Sequence, residues 1–181
     1  MNMENPFDLL CTYEQRVLQK TSGLPTDRQA DEWIGLGFRV GKNHLLVDMK
    51  EVKEILKLPE FTAVPGVRSW IIGVANVRGS LLPVMDLKGY LVSENILNRQ
   101  KGSVIVIDYK GFNTGLLVEE VYGMRHLTEA EKITESTSNK FELDEIIKPY
   151  IIKNYKQGED YWPVFSFTKM TSDERFLKAA L

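Results

Sequence analysis

Cysteine is nearly absent: one residue, Cys11, in 181. A lone cysteine closes no internal disulfide, and with only two histidines in the chain no Cys/His cluster is available for zinc. That usage suits a reducing cytosol. Long apolar runs are missing too, since stretches such as Val104-Ile105-Val106-Ile107 fall far short of the roughly 20 residues a membrane span needs. The opening Met1-Asn2-Met3-Glu4-Asn5 has neither the basic flank nor the apolar core of a secretory signal. A cationic surplus is also lacking: net charge is -2 and the isoelectric point about 5.8, which argues against a surface built to neutralise phosphates. What is present is ordinary for one globular domain, with 43% hydrophobic and 27% charged residues.

Asn5 can cap a helix, Pro6 suits its first position, and Phe7, Leu10, Tyr13 and Val17 recur at spacings of three and four. Gly23 and Pro25 end that helix, and the polar stretch from Thr21 to Asp31 reads as a linker. Residues 1–31 are thus expected to form a helical extension and linker ahead of a domain over 32–181.

From Trp33 the period changes to two. Ile34, Leu36, Phe38 and Val40 alternate with Gly35, Gly37 and Arg39, as in a half-buried strand, and Leu45, Val47 and Met49 continue as a second one. Further strands are predicted at Ile71 to Val77, Leu81 to Leu87, Ser103 to Tyr109, Thr114 to Tyr122 and Val164 to Phe167. Arg78-Gly79-Ser80, Lys110-Gly111-Phe112-Asn113 and Gln157-Gly158-Glu159-Asp160 supply turns. Short strands at this spacing indicate an all-β barrel or sandwich. Val52, Ile55 and Leu56 have helical spacing before Pro59. Thr171 and Glu174 have the spacing of a capping box ahead of an apolar stripe of Phe176, Leu177, Ala180 and Leu181. The Ser/Thr-rich segment from Thr134 to Lys140 reads as an exposed loop.

Residues arranged for chemistry are few. Gly37 to Gly41 is one residue short of a Walker A loop, and Asn43 stands where magnesium would need a hydroxyl after Lys42. Val40 occupies the third glycine position of a dinucleotide fingerprint. His44 and Asp48 look paired at helical spacing, but on a strand they lie roughly 13 Å apart, too far to share an ion. His126, beside Arg125, reads as a solvated imidazole. No serine sits in a nucleophile elbow. Asp48, Asp86 and Asp108 fall at or near strand ends, where carboxylates satisfy turn amides. No catalytic residue, cofactor site or metal site is assigned.

One block stands out, Trp70-Ile71-Ile72-Gly73-Val74-Ala75-Asn76-Val77-Arg78-Gly79-Ser80-Leu81-Leu82-Pro83-Val84-Met85-Asp86-Leu87. It reads as strand, tight turn and strand, each apolar on both faces as when neither face meets solvent. Asn76 and Arg78 are its polar exceptions and share one face. Either they fasten the turn through nearby carbonyls or they form the polar part of a binding surface; spacing leaves both open.

This block resembles the signature of the CheW-like domain, the chemotaxis adaptor module, which runs I-x-G-V-x-N-L-R-G-x-x-L-P-V-x-D-L. Ile72 (or Ile71), Gly73, Val74, Asn76, Arg78, Gly79, Leu82, Pro83, Val84, Asp86 and Leu87 match it, with Val77 for the usual leucine. Val52-Lys53-Glu54-Ile55, Val64-Pro65 and Gly115-Leu116-Leu117-Val118-Glu119-Glu120-Val121 resemble three further family segments in order, with Glu119 in place of an aspartate. Within the family, Glu32 to Val40, Trp70, Ala75 to Gly79 and Trp162-Pro163-Val164-Phe165 are similar to the PilI-type subgroup of twitching-motility adaptors.

The resemblance implies an all-β CheW-like fold of two small five-stranded SH3-like β-barrels with short helices. It also implies a non-catalytic adaptor that joins the cytoplasmic tip of a PilJ-like methyl-accepting chemoreceptor to the regulatory domain of a CheA-type, ChpA-like histidine kinase. Such a protein works in the cytoplasm and is recruited to the inner membrane through the receptor array. By matching position, Met49, Val52, Glu54, Asn76 and Arg78 would edge the receptor groove, with Gly73, Gly79, Pro83 and Asp86 as structural motif residues. A CheW-type adaptor of a flagellar or other chemosensory pathway is the alternative, and a small enzyme a more distant one. The loop around Ile133 to Phe141 transfers no kinase contacts.

Overall fold

The structure, a computed structural model, describes residues 32–96, 98–109, 111–134 and 141–178. The predicted helix at Asn5 to Val17, the linker to Asp31, the loop from Glu135 to Lys140, and Ala180 and Leu181 lie outside the described residues. Eleven strands and three short α-helices follow from Glu32 onward among the described residues. They are β1 (Glu32–Val40), β2 (Asn43–Asp48), β3 (Val52–Lys57), β4 (Phe61–Thr62), β5 (Ile71–Val77), β6 (Ser80–Asp86), β7 (Ser103–Tyr109), β8 (Phe112–Val118), β9 (Glu120–Thr128), β10 (Ile151–Gln157) and β11 (Asp160–Phe165). The helices are α1 (Leu87–Val92), α2 (Phe167–Thr171) and α3 (Glu174–Leu177).

The strands form two sheets, one ordered β10-β11-β2-β1-β9 and the other β3-β7-β8-β6-β5-β4. Both curl into barrels. In the first, the chain beyond β9 returns to β10, where Lys132 bridges Tyr155 and the Ile133 N–H donates to the Asn154 carbonyl at 2.9 Å. In the second, the end strands β3 and β4 are consecutive in sequence. Six flat strands would set them about 24 Å apart, whereas the chain from Lys57 to Phe61 reaches at most about 14 Å. The two-barrel expectation therefore holds, and the second barrel carries one extra strand of two residues, β4.

Alternation along the strands decides which core each side chain joins. Val104 and Val106 of β7 point into the six-stranded barrel with Ile72, Leu82 and Leu117, while Ile105 and Ile107 point to the core between the barrels. On β2, Leu45 and Val47 join that shared core and Leu46 the interior of the five-stranded barrel, with Tyr155 and Trp162. The apolar runs that defied simple alternation are strands buried on both faces because they lie between two barrels. At the tip of the β5–β6 hairpin this fails: Leu81, expected inside, is 74% exposed.

Several expectations need correcting. Val52 to Lys57 is a strand, not a helix. A β-bulge at Lys53 pairs Val52 with Ile107 and Glu54 with Val106, leaving Ile55 opposite Ile105. Val52 and Ile55 thus lie three residues apart on one side of a strand, imitating a helical repeat. The predicted strand from Thr114 to Tyr122 is two strands in different barrels, broken at Glu119. Strand β10 is not among the predicted strands, and Phe167 opens α2 instead of closing β11. Asp173, not Thr171, caps α3, its carboxylate accepting from the Arg175 N–H, while the Thr171 hydroxyl donates to the Phe167 carbonyl.

Candidate functional site

The β5–β6 hairpin turns on Arg78 and Gly79, whose φ angles are 51° and 82°. Two successive positive φ values are the requirement of a type I′ turn, which favours Asn-Gly. Glycine meets it freely, but arginine at positive φ is strained, an outlier of the kind that marks functional positions. The Asn76 Oδ1 accepts the Gly79 N–H at 3.0 Å and secures the turn. Asn76 therefore acts locally, though through an amide instead of a carbonyl.

Arg78 does not follow it. Its guanidinium reaches Glu54 Oε2 on β3 at 2.9 Å, with 77% of the Arg78 side chain exposed against 28% for Glu54. The ion pair joins β3 to the β5–β6 hairpin, parts of the sheet that do not pair with each other. Leu81 stands opposite Asn76 in the hairpin register, next to this pair. The hairpin tip thus offers a fixed charge pair beside an exposed apolar side chain, the composition of a protein-binding surface and not of a catalytic cleft.

The other two residues of the proposed edge sit differently. Met49, in a single 3₁₀ turn, and Val52, at the start of β3, are half-buried against the shared core. The bulge at Lys53 separates Val52 from Glu54, so Val52 faces the inter-barrel side and Glu54 the six-stranded barrel. Glu54, Asn76 and Arg78 come together at the hairpin; Met49 and Val52 pack against the shared core, and Val52 also lines the groove beside α2.

The remaining candidates have structural partners. Asp48 accepts the Trp33 Nε1–H at 3.0 Å and the Lys50 N–H at 2.9 Å. Asp108 accepts the Gly111 N–H at 2.9 Å. His44 packs edge-on to Tyr122 and stacks on Trp162, and His126 lies exposed on β9. Among the described residues no three His, Cys, Asp or Glu side chains gather as a metal site, and no helix is long and apolar enough to cross a membrane.

The sequence model of the CheW-like domain matches residues 35–174. The chain belongs to the CheW-like domain family. It is 36% identical to protein PilI of Pseudomonas aeruginosa over 181 residues, 99% of each chain. It is 28% identical to chemotaxis protein CheW of Thermotoga maritima over 110 residues, 61% of this chain and 72% of that one. The crystal structure of the scaffolding protein TtCheW from Thermoanaerobacter tengcongensis superposes with a TM-score of 0.66, at 18% identity, covering 79% of this chain and 94% of that one. The chain is thus a CheW-type scaffold of chemotaxis signalling.

Within this CheW-like fold the motif residues have definite physical tasks. A Cβ on Gly73 would stand 2.3 Å from the Thr62 carbonyl oxygen, so only glycine lets β4 lie against β5 there. Pro83 stands one residue ahead of the first β6–β8 pair, Val84 with Gly115, where its missing N–H does not interrupt that ladder. Asp86 is fully buried, accepts the Gly89 N–H at 3.0 Å and the Ile96 N–H at 2.9 Å, and so caps α1 while tying down the loop after it. Two residues that sequence reasoning missed also tie distant segments together. The Glu119 carboxylate, at the crossover from β8 to β9, accepts the Gly41 N–H and ion-pairs with Arg39 and Lys88. Glu51, in the turn between β2 and β3, accepts from Ser166, Phe167 and Thr168 at the start of α2. Sequence flagged Glu119 only as a departure from the family aspartate, and offered no signal for Glu51, whose partners lie more than 110 positions away.

Proposed function

We propose that this chain is a non-catalytic PilI-type adaptor. It couples the cytoplasmic tip of a PilJ-like methyl-accepting chemoreceptor to the CheW-like regulatory domain of a CheA-type, ChpA-like histidine kinase. The array it serves controls type IV pilus twitching motility. The observation that carries this reading is the end-to-end similarity to PilI, which includes the residues ahead of the CheW-like match, whereas the similarity to Thermotoga maritima CheW spans 61% of the chain. The protein acts in the cytoplasm and reaches the inner membrane through the receptor.

Met49, Val52, Glu54, Asn76 and Arg78 meet the receptor in this reading. The strained, exposed Arg78 held by Glu54 supports it, because a turn selected for stability alone would carry asparagine or glycine at that position. Two barrels locked through one core present separate rigid faces, which suits a protein that holds two partners at once.

Deleting the gene and scoring motility tests the pathway. Lost twitching with intact swimming is expected. Intact twitching with lost swimming would instead assign the chain to a flagellar array.

A further inference from the structure

Glu51 closes the 3₁₀ turn between β2 and β3, one residue ahead of Val52. Its side chain reaches from that turn to Ser166 and the start of α2, the segment that follows β11. Oε2 accepts the Phe167 N–H at 2.8 Å, and Oε1 accepts the Thr168 hydroxyl at 2.8 Å and the Ser166 hydroxyl at 3.2 Å. These are groups at the first turn of α2, whose N–H donors have no partner within the helix. Phe167 and Met170 of α2 are buried in the shared core, so α2 is a fixed body.

The start of β3 is less well held by its own sheet. The bulge at Lys53 interrupts the β3–β7 ladder between Val52 and Glu54, so a single register position, Val52 with Ile107, anchors the strand before the interruption. A groove of about 600 Å³ lies here, with Val52 and Lys53 on one wall and Thr168 and Ser172 on the other. The Glu51 carboxylate is the polar tie between those walls.

We propose that Glu51 is a positioning residue for receptor binding: by fastening the start of β3 to α2 it sets the width of this groove and the placement of Val52. The inference rests on the receptor reading above. It adds that α2, far from the signature hairpin, belongs to the binding machinery through Glu51. Removal of the carboxylate frees Val52 from α2 while leaving the Glu54–Arg78 pair in place.

Glu51→Ala, Glu51→Gln and Thr168→Val test this, read by amide hydrogen exchange and by affinity for a purified receptor-tip fragment, with the kinase regulatory domain as control. For Glu51→Ala, exchange at Val52, Lys53 and Phe167 should rise about tenfold and receptor affinity fall about tenfold, with kinase affinity unchanged. Glu51→Gln, which keeps one acceptor oxygen, should restore part of the receptor affinity. Thr168→Val removes one hydrogen bond without changing side-chain volume and should give a smaller loss of the same kind; it decides the matter should Glu51→Ala fail to fold. Unchanged exchange at Val52 overturns the inference, as does raised exchange with undiminished receptor affinity. Failure of the wild-type protein to bind the receptor fragment overturns the receptor reading instead, and exchange then still decides whether Glu51 fixes β3.

Discussion

Arg78 and Glu54 form an ion pair of 2.9 Å between the tip of the β5–β6 hairpin and β3, and Arg78 adopts a φ of 51° to make it. An exposed pair of this kind contributes less than about 1 kcal/mol to stability, while the left-handed backbone at a residue that carries a Cβ costs about 1 kcal/mol or more. Stability does not account for arginine here. The proposed receptor contact would.

Replacing Arg78 with asparagine, the residue a type I′ turn favours, should therefore leave the thermal midpoint equal or higher while receptor capture falls at least tenfold. Thermal melts beside a receptor-fragment pull-down check this. A variant that melts earlier and binds normally would return Arg78 to a purely structural role.

Asp86 is a buried carboxylate with two backbone donors, and Arg99 Nε stands 3.6 Å from its Oδ2. Asp86→Ala leaves the Gly89 and Ile96 N–H groups and the Arg99 charge without their acceptor, so a loss of about 3 kcal/mol is expected in urea unfolding. Asp86→Asn keeps an acceptor and should lose less.

Glu119→Ala should loosen the joint between the barrels. Its carboxylate holds the Gly41 N–H and lies 3.5 Å from Arg39 and 3.8 Å from Lys88. A destabilisation of about 2 kcal/mol is expected, with hydrogen exchange rising first at Gly41 and at the crossover. Uniform exchange changes across both barrels would contradict a local joint.

Much of this fold is legible in the sequence, and the exceptions have physical causes. Strands β1, β5 and β6 were legible because each carries its own pattern, alternation in β1 and the Gly73 to Leu87 signature in the other two. The two-barrel fold followed from the family match and not from periodicity. Val52 to Leu56 misled because a bulge, whose existence depends on pairing with β7, shifts the phase of apolar residues. The break at Glu119 carries no turn signal, because Glu119-Glu120 lies directly between Val118 and Val121 with neither glycine nor proline to mark the change of barrel. Strand β10, Ile152-Lys153-Asn154-Tyr155 at its centre, has mixed burial and no clean period. Of the candidate site, Asn76 and Arg78 stand out as polar residues in an apolar block; the task of Asn76 is local, at the Gly79 N–H, but that of Arg78 depends on Glu54, brought near only by folding.

Acid should weaken the C-terminal end first. The Tyr150 hydroxyl donates to Asp173 Oδ2 at 2.5 Å, and with the Arg175 N–H it holds the Asp173 carboxyl below its ordinary 3.8. A depressed carboxylate stabilises the fold above its unfolded value and loses that contribution as pH falls through the folded one, so the effect appears below about pH 4. Phe176 of α3 stacks on Trp70, so tryptophan fluorescence reports its release. Asp173→Asn should flatten the acid limb of the stability profile. At the alkaline end, burial lifts Tyr150 above its ordinary 10.0, and stability should decline as pH rises beyond that value.

The most direct measurement is co-purification of the full-length protein with a receptor cytoplasmic tip and the kinase regulatory domain, mixed in pairs and all together. A ternary complex that depends on this chain is expected, with Arg78→Asn retaining the kinase domain and losing the receptor tip. Binding to neither component by the wild-type protein would contradict the adaptor account.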